Sequence, residues 1–130
     1  MQPLSPPYRV LIVDAVPAVR EALRWAFEST VDLLVVGEAQ DGQEALVRAA
    51  DLTPDVVILD IELPVLDGYA VAVALKQLQP PPTVIFLTIH GDAANRRAAA
   101  STGCDGFVEK GQGWSALISQ IRHALNSRPP

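Results

Sequence analysis

The chain has 130 residues, enough for one domain with a buried core, and its 10 Lys and Arg against 15 Asp and Glu give a formal net charge of −5. An acidic surface repels the phosphate backbone, so we expect no direct contact with nucleic acid. The single Cys104 cannot close an intramolecular disulfide, and the chain has neither a membrane-length apolar run nor a signal-peptide core. The composition therefore predicts a cytoplasmic protein without a membrane segment.

The first half of the chain alternates apolar strands with amphipathic helices. Residues 1–7 hold three prolines and are expected to form a flexible tail. The predicted elements that follow are, in chain order, a strand at Tyr8–Val13, a helix at 17–29, a strand at Leu33–Ala39 and a helix that begins at 41–42. The first strand ends in Asp14. Trp25, in the first helix, is interpreted as a packing residue.

The second half continues the alternation. The run 56–60, VVILD, has the Val and Ile typical of a strand buried on both faces, and it ends in Asp60. The remaining predictions are a helix at 69–78 before three prolines, a strand at Thr83–Thr88, an Ala-rich and easily moved helix at 93–101, a short strand at 105–109, and a last helix that has Trp114, interpreted as packing, near its start. The predicted domain covers 8–127, and 128–130 are a frayed end or the start of a linker.

This order of elements predicts the fold class. Five strands that alternate with five helices over short connections indicate a three-layer α/β protein, in which a doubly wound parallel sheet is covered on both faces. The carboxyl ends of parallel strands lie along one edge of such a sheet, and ligands bind there. The polar residues that follow or end four of the apolar runs should therefore meet at this edge; they are Asp14, Asp60, Thr88 and Lys110.

These four residue types suit phosphoryl chemistry. Aspartate can act as a covalent nucleophile, and neighbouring carboxylates supply the hard oxygen ligands that Mg²⁺ prefers. The ammonium of Lys110 and the hydroxyl of Thr88 could hold the oxygens of a phosphoryl group on Asp60.

Four segments also resemble one known family. They are LIVD at the end of the first strand, LDIELPVLDG around Asp60, LT at Thr88 and EK at Lys110. Together and in this order they are similar to the receiver domain of bacterial two-component response regulators, over about residues 8–127. The run VVGEAQDGQEAL resembles regulators that carry a helix-turn-helix output domain. The resemblance implies a flavodoxin-like fold with strand order 2-1-3-4-5.

The resemblance implies a function as well. A sensor histidine kinase would phosphorylate Asp60, with Mg²⁺ held by Asp60, Asp14 and the backbone carbonyl of Glu62. Thr88 and Lys110 would bind the phosphoryl oxygens. The chain would be a signalling switch rather than a turnover enzyme, with at most slow self-dephosphorylation.

The resemblance also implies how the switch would be read. Phe107 would be the aromatic switch residue that moves with Thr88. The surface of the fourth helix, fifth strand and fifth helix would carry the output, either through a homodimer or through a DNA-binding domain or partner outside this chain.

One position departs from the family pattern and leaves alternatives open. Relatives usually have two adjacent acids after the first strand, whereas Asp14 is followed by Ala15, so the acid that normally touches the metal is missing. One hypothesis is that the carboxylate of Glu62 replaces it. A second is that the chain is a pseudo-receiver, an interaction module with weak or no metal-dependent phosphorylation.

Two further readings have less support. Asp60-Ile61-Glu62 loosely imitates the Asp-x-Asp pair of an Asp-nucleophile phosphohydrolase, but it follows the third strand rather than the first. A dinucleotide-binding domain would need G-x-G-x-x-G after the first strand, which the chain lacks. His90, in the loop after Thr88, could border the site but is interpreted as a surface residue, and His123 is predicted to lie on the polar side of the last helix.

Overall fold

The computed structural model describes residues 5–128. Its strands are β1 (Tyr8–Val13), β2 (Leu33–Ala39), β3 (Val56–Leu59), β4 (Thr83–Thr88) and β5 (Gly106–Glu109). Its helices are α1 (Pro17–Glu28), α2 (Gly42–Leu52), α3 (Gly68–Leu75), α4 (Ala93–Ala100) and α5 (Trp114–Asn126), with a 3₁₀ turn at Lys110–Gln112. The five predicted strands and five predicted helices are all present, and the 3₁₀ turn is an addition.

All five strands are parallel and follow the order β2-β1-β3-β4-β5, as the resemblance implied. The central strand β3 pairs with β1 on one side and with β4 on the other. Each of its four residues is buried. Asp60 directly follows this central strand and therefore lies at the carboxyl edge of the sheet.

Alternate residues of each strand enter two separate cores, which gives the three predicted layers. In β1, Val10 and Ile12 pack toward α1 and α5, whereas Leu11 and Val13 pack toward α2 and α3. Leu23, Phe27, Leu117 and Ile121 are the main helix residues of the first core, and Ala45, Ala49, Val71, Ala72 and Leu75 are those of the second.

Both tryptophans were interpreted as packing residues. This is wrong for Trp25, which is mostly exposed, and holds only in part for Trp114. Trp25 is 74% exposed and Trp114 is 38% exposed. Leu23 and Phe27 form the buried side of α1. Because a helix turns about 100° per residue, Trp25 lies about 200° from each of them and faces outward. Trp25, although it stands between the buried residues in the sequence, therefore lies on the opposite side of the helix.

The helix ends also differ slightly from the predicted ones. α3 ends at Leu75 instead of near residue 78; a turn at 76–77 and a bend at 78–80 lead into the proline segment. Within 5–128, no helix has both the length and the apolar character needed to cross a bilayer. Residues 1–4 of the predicted tail and residues 129–130 lie outside the described residues. The remaining residue of the predicted end, Arg128, donates hydrogen bonds to Thr83 Oγ1 (3.0 Å) and to the Pro81 carbonyl (3.1 Å).

Candidate functional site

Asp60 is fixed by the backbone around it. Its N–H donates to the Val13 carbonyl (3.1 Å), which extends the β1–β3 pairing by one residue. The loop that follows returns to the same place, because Gly68 N–H donates to the Ile61 carbonyl (2.8 Å). A Cβ on Gly68 would lie 2.1 Å from the backbone oxygen of Asp60, so only glycine allows this close approach. Asp60 is consequently 7% exposed and has little freedom to move.

Lys110 joins two of the predicted carboxylates. Its Nζ lies 2.9 Å from Asp14 Oδ2 and 3.1 Å from Asp60 Oδ2. Asp14 is 2% exposed, and its second oxygen accepts a hydrogen bond from Val16 N–H (2.9 Å). One ammonium faces two carboxylates, so the trio keeps an excess negative charge in a buried place. Three of the four residues predicted to meet at the sheet edge are therefore in direct contact.

Burial and charge shift the pKa values of this trio. Burial raises the pKa of Asp60 above its ordinary value; the Lys110 ammonium opposes that rise and the Asp14 carboxylate adds to it. For Lys110, burial alone would lower the pKa, but its hydrogen bonds to Asp14 and Asp60 outweigh burial and raise it. Lys110 therefore stays charged across the physiological pH range. Any added positive charge would stabilise the ionised form of Asp60.

Thr88, the fourth predicted residue, lies at the same edge at the end of β4. It is fully buried, and its hydroxyl oxygen accepts a hydrogen bond from His90 N–H (3.0 Å). The structure places no hydrogen bond between Thr88 and Asp60 or Lys110 among the described residues. The hydroxyl thus belongs to the β4–α4 loop in this conformation, next to the trio rather than in it.

Glu62 does not join the other acids. Its side chain is 67% exposed, and its Oε1 lies 2.5 Å from Nε2 of His90 without the geometry of a hydrogen bond. His90, interpreted as a surface residue that could border the site, is half-buried and contacts Glu62. Glu62 lies three residues after the end of β3 and His90 two residues after the end of β4, so the two residues lie in loops that follow neighbouring strands. His123 is exposed on α5, as predicted.

A comparison with known protein families decides the identity of this arrangement. The family model described as "Response regulator receiver domain" matches residues 10–122, which is most of the chain. This chain belongs to the response regulator receiver family.

Individual relatives of this receiver domain agree. A putative transcriptional regulator of Pseudomonas aeruginosa is 41% identical over 117 residues, which are 90% of this chain and 56% of that protein. A protein-glutamate methylesterase/protein-glutamine glutaminase of Carboxydothermus hydrogenoformans is 35% identical over 120 residues, 91% of this chain and 35% of that protein. The chain thus spans about a third to a half of the length of these curated relatives.

A solved structure confirms the fold of the receiver domain. The signal receiver domain of the putative response regulator NarL from Mycobacterium tuberculosis superimposes with a TM-score of 0.87 at 30% identity, and the match covers 93% of this chain and 98% of that one. The flavodoxin-like architecture with strand order 2-1-3-4-5 is therefore shared with a regulator of known structure.

This receiver domain has fewer acidic ligands for Mg²⁺ than relatives usually have. Within residues 5–128, no three His, Cys, Asp or Glu side chains are grouped so that they could hold a metal ion. Asp14 and Asp60 remain as a pair of carboxylates, joined here by Lys110. Mg²⁺ is commonly held by one or two carboxylates with waters and phosphate oxygens, so the pair fits this ion. Because the carboxylate of Glu62 contacts His90, the hypothesis that it replaces the missing acid gains no support from this conformation.

Phe107, the predicted switch residue, is half-buried on β5. Its ring centroid lies 6.3 Å from that of Phe86, which in turn lies 5.8 Å from that of Tyr69. The guanidinium of Arg96, from α4, lies 4.6 Å from the centre of the Phe107 ring. Sequence reasoning missed Arg96, because its position over Phe107 depends on how α4 packs beside β5.

Proposed function

We propose that this receiver domain is a cytoplasmic phosphoacceptor, which takes a phosphoryl group onto Asp60 from the phosphohistidine of a sensor histidine kinase. The observation that carries the proposal is the contact of one half-buried ammonium, that of Lys110, with two buried carboxylates at the carboxyl edge of the sheet. A buried acid with a raised pKa beside a fixed cation is a pattern that clusters at functional sites. Membership of the receiver family supports the same role.

The chemistry follows from the groups present. An oxygen of the ionised Asp60 attacks the phosphorus, a P–O bond forms, the P–N bond breaks, and its electron pair leaves with the imidazole of the kinase. The Lys110 ammonium, already beside Asp60 Oδ2, would hold one phosphoryl oxygen as charge builds on it. The hydroxyl of Thr88 would hold a second oxygen after the β4–α4 loop shifts.

A divalent cation would complete the charge balance. Asp14, Asp60 and the backbone carbonyl of Glu62 would hold Mg²⁺, as in the family. The ion, when bound, supplies positive charge that offsets the excess carboxylate charge and the charge of the phosphoryl group. The Lys110 ammonium, which contacts Asp14 and Asp60 here, would bind a phosphoryl oxygen.

The output would lie outside this chain. A relative from Pseudomonas aeruginosa is named as a transcriptional regulator, and this chain covers 56% of it. We propose that the phosphorylated domain acts through a DNA-binding domain or a partner protein, or through a homodimer, with the α4–β5–α5 surface as the readout. The domain itself would not be a turnover enzyme and would lose its phosphoryl group to water slowly.

Acetyl phosphate provides a test that needs no kinase. Incubated with acetyl phosphate and Mg²⁺, the chain should gain one phosphoryl group in an acid-stable, base-labile bond that peptide mass spectrometry places on Asp60. Asp60→Asn should gain none. Asp51→Asn, which removes an exposed acid of α2, should be labelled like the unaltered chain. An adduct on another residue, or rapid multiple turnover of acetyl phosphate, would contradict a phosphoacceptor role for Asp60.

The second candidate is the pseudo-receiver, and Ala15 favours it. Within residues 5–128, Lys110 pairs with both Asp14 and Asp60, and no third acid is grouped with these two so that the set could hold a metal ion. In this case the unaltered chain would neither bind Mg²⁺ near millimolar concentration nor take up phosphate. Ala15→Asp restores a third acid, and we expect it to increase Mg²⁺ affinity at least about tenfold by isothermal titration. Equal affinities of the two proteins would show that residue 15 does not control metal binding.

A further inference from the structure

One arginine of α4 connects three parts of the molecule. Arg96 Nε donates to the Gly91 carbonyl (3.0 Å) in the β4–α4 loop, and Nη2 donates to Glu109 Oε1 (2.9 Å) at the end of β5. The same guanidinium lies 4.6 Å from the ring centre of Phe107. A planar guanidinium suits this task, because its edge donates hydrogen bonds while its face packs on an aromatic ring.

Few other contacts hold α4 in place. Ala99 is its one buried residue, whereas α3, of the same length, buries four. Beside Arg96, Asn95 accepts a hydrogen bond from the hydroxyl of Tyr69 (2.6 Å). A helix with so little buried apolar surface has low local stability, and its position depends on such side-chain contacts. Arg96 therefore contributes a large share of what fixes α4 beside β5.

The loop that Arg96 contacts directly follows Thr88, whose hydroxyl belongs to the candidate site. Thr88 Oγ1 accepts from His90 N–H, and Gly91 follows directly in the chain. A Cβ on Gly91 would lie 2.1 Å from Glu109 Oε1, so the loop passes directly against the carboxylate that Arg96 pairs with. The position of the Thr88 loop and the position of Phe107 thus depend on the same guanidinium.

We propose that Arg96 is a latch that holds the β4–α4 loop and Phe107 in the unphosphorylated arrangement. The proposal rests on the phosphoacceptor function of Asp60. Recruitment of Thr88 to a phosphoryl group would pull the loop toward Asp60 and away from Arg96. A contact made in one conformation and lost in the other shifts the equilibrium by its own free energy. Removal of the Arg96 contacts should therefore favour the phosphorylated arrangement about five- to tenfold.

The test compares three variants and follows the ¹⁹F signal of a label at Phe107. Arg96→Ala removes all three contacts, and Arg96→Lys keeps the charge without the planar face. Arg97→Ala removes the neighbouring exposed arginine of α4, which forms no ion pair among the described residues. The chain has three phenylalanines, at 27, 86 and 107, so 4-fluorophenylalanine labelling gives three ¹⁹F signals. Phe27, in the α1–α5 core, is an internal control.

Arg96→Ala should shift or broaden the Phe107 signal and leave that of Phe27 unchanged, with a smaller effect for Arg96→Lys and none for Arg97→Ala. The apparent affinity of the Arg96→Ala variant for beryllofluoride, a mimic of the phosphoryl group, should rise five- to tenfold in the presence of Mg²⁺. An unchanged Phe107 signal overturns the latch, and so does a shifted signal with unchanged beryllofluoride affinity. If neither the unaltered chain nor any variant binds beryllofluoride, the phosphoacceptor function is overturned instead. A shifted Phe107 signal in Arg96→Ala would in that case still show that Arg96 fixes the position of Phe107.

Discussion

Asp60 sits where its charge is costly. Burial and the Asp14 carboxylate raise its pKa, and Lys110 offsets only part of the rise. Because the pKa of Asp60 is higher in the folded protein than its ordinary 3.8, the folded state binds the proton more tightly than the unfolded state. The penalty therefore grows as the pH rises from 3.8 through the folded pKa, and it is complete above that pKa.

Asp60→Asn should consequently stabilise the protein at neutral pH. The amide keeps an acceptor for Lys110 and removes one buried charge, so we expect the free energy of unfolding to rise by about 1 kcal/mol and Tm by roughly 4 °C. Urea unfolding at a series of pH values measures the free energy of unfolding, and thermal unfolding measures Tm. The gain should shrink as the pH falls through the folded pKa of Asp60, and it should be lost below 3.8, where the unaltered carboxyl becomes protonated in both states. A variant less stable than the unaltered chain at pH 7 would refute the argument.

At the scale of the elements, the loop from β3 to α3 controls where Asp60 points. Gly68→Ala places a Cβ 2.1 Å from the Asp60 backbone oxygen and 2.7 Å from Ile61 Cα, both of which are backbone atoms that cannot rotate away. The loop must shift, at a cost of about 1–3 kcal/mol. Gly111→Ala, whose Cβ would have no neighbour within 4 Å, should be neutral and is the control.

The same pair of variants separates stability from site geometry. Thermal unfolding should show a lower Tm for Gly68→Ala alone, and its labelling by acetyl phosphate should be slower because Asp60 is displaced from Lys110. If Gly68→Ala matched Gly111→Ala in both measurements, the close approach of the loop would not matter for the site.

Elements and contacts differ in how far the sequence predicts them. The strands and the edge residues Asp14, Asp60 and Lys110 were predictable, because long apolar runs end in polar residues and parallel strands share one edge. Trp25 was not, since a hydrophobic residue beside an apolar stripe can still face solvent. The contacts of Glu62 with His90 and of Arg96 with Phe107 were not either, because they join loops and helices whose relative positions only the packed fold determines.

At the scale of the whole molecule, the two cores share every central strand. Val10 and Ile12 enter one core and Leu11 and Val13 the other, so neither core can lose its packing while the sheet stays intact. A domain of this size with interlocked cores should unfold in one cooperative transition. A defect in either core should therefore lower the stability of both.

Leu23→Ala and Leu75→Ala test this coupling from opposite faces of the sheet. Leu23 is a fully buried residue of α1, and Leu75 is a fully buried residue of α3. Each truncation removes a similar apolar volume and should lower the free energy of unfolding by about 2–4 kcal/mol. Far-UV circular dichroism and Trp fluorescence should follow one common urea transition in both variants, although both tryptophans belong to the α1–α5 side. If the fluorescence transition of Leu75→Ala stayed at the position of the unaltered chain while its helical signal was lost earlier, the α2–α3 layer would unfold separately and the cores would not be coupled.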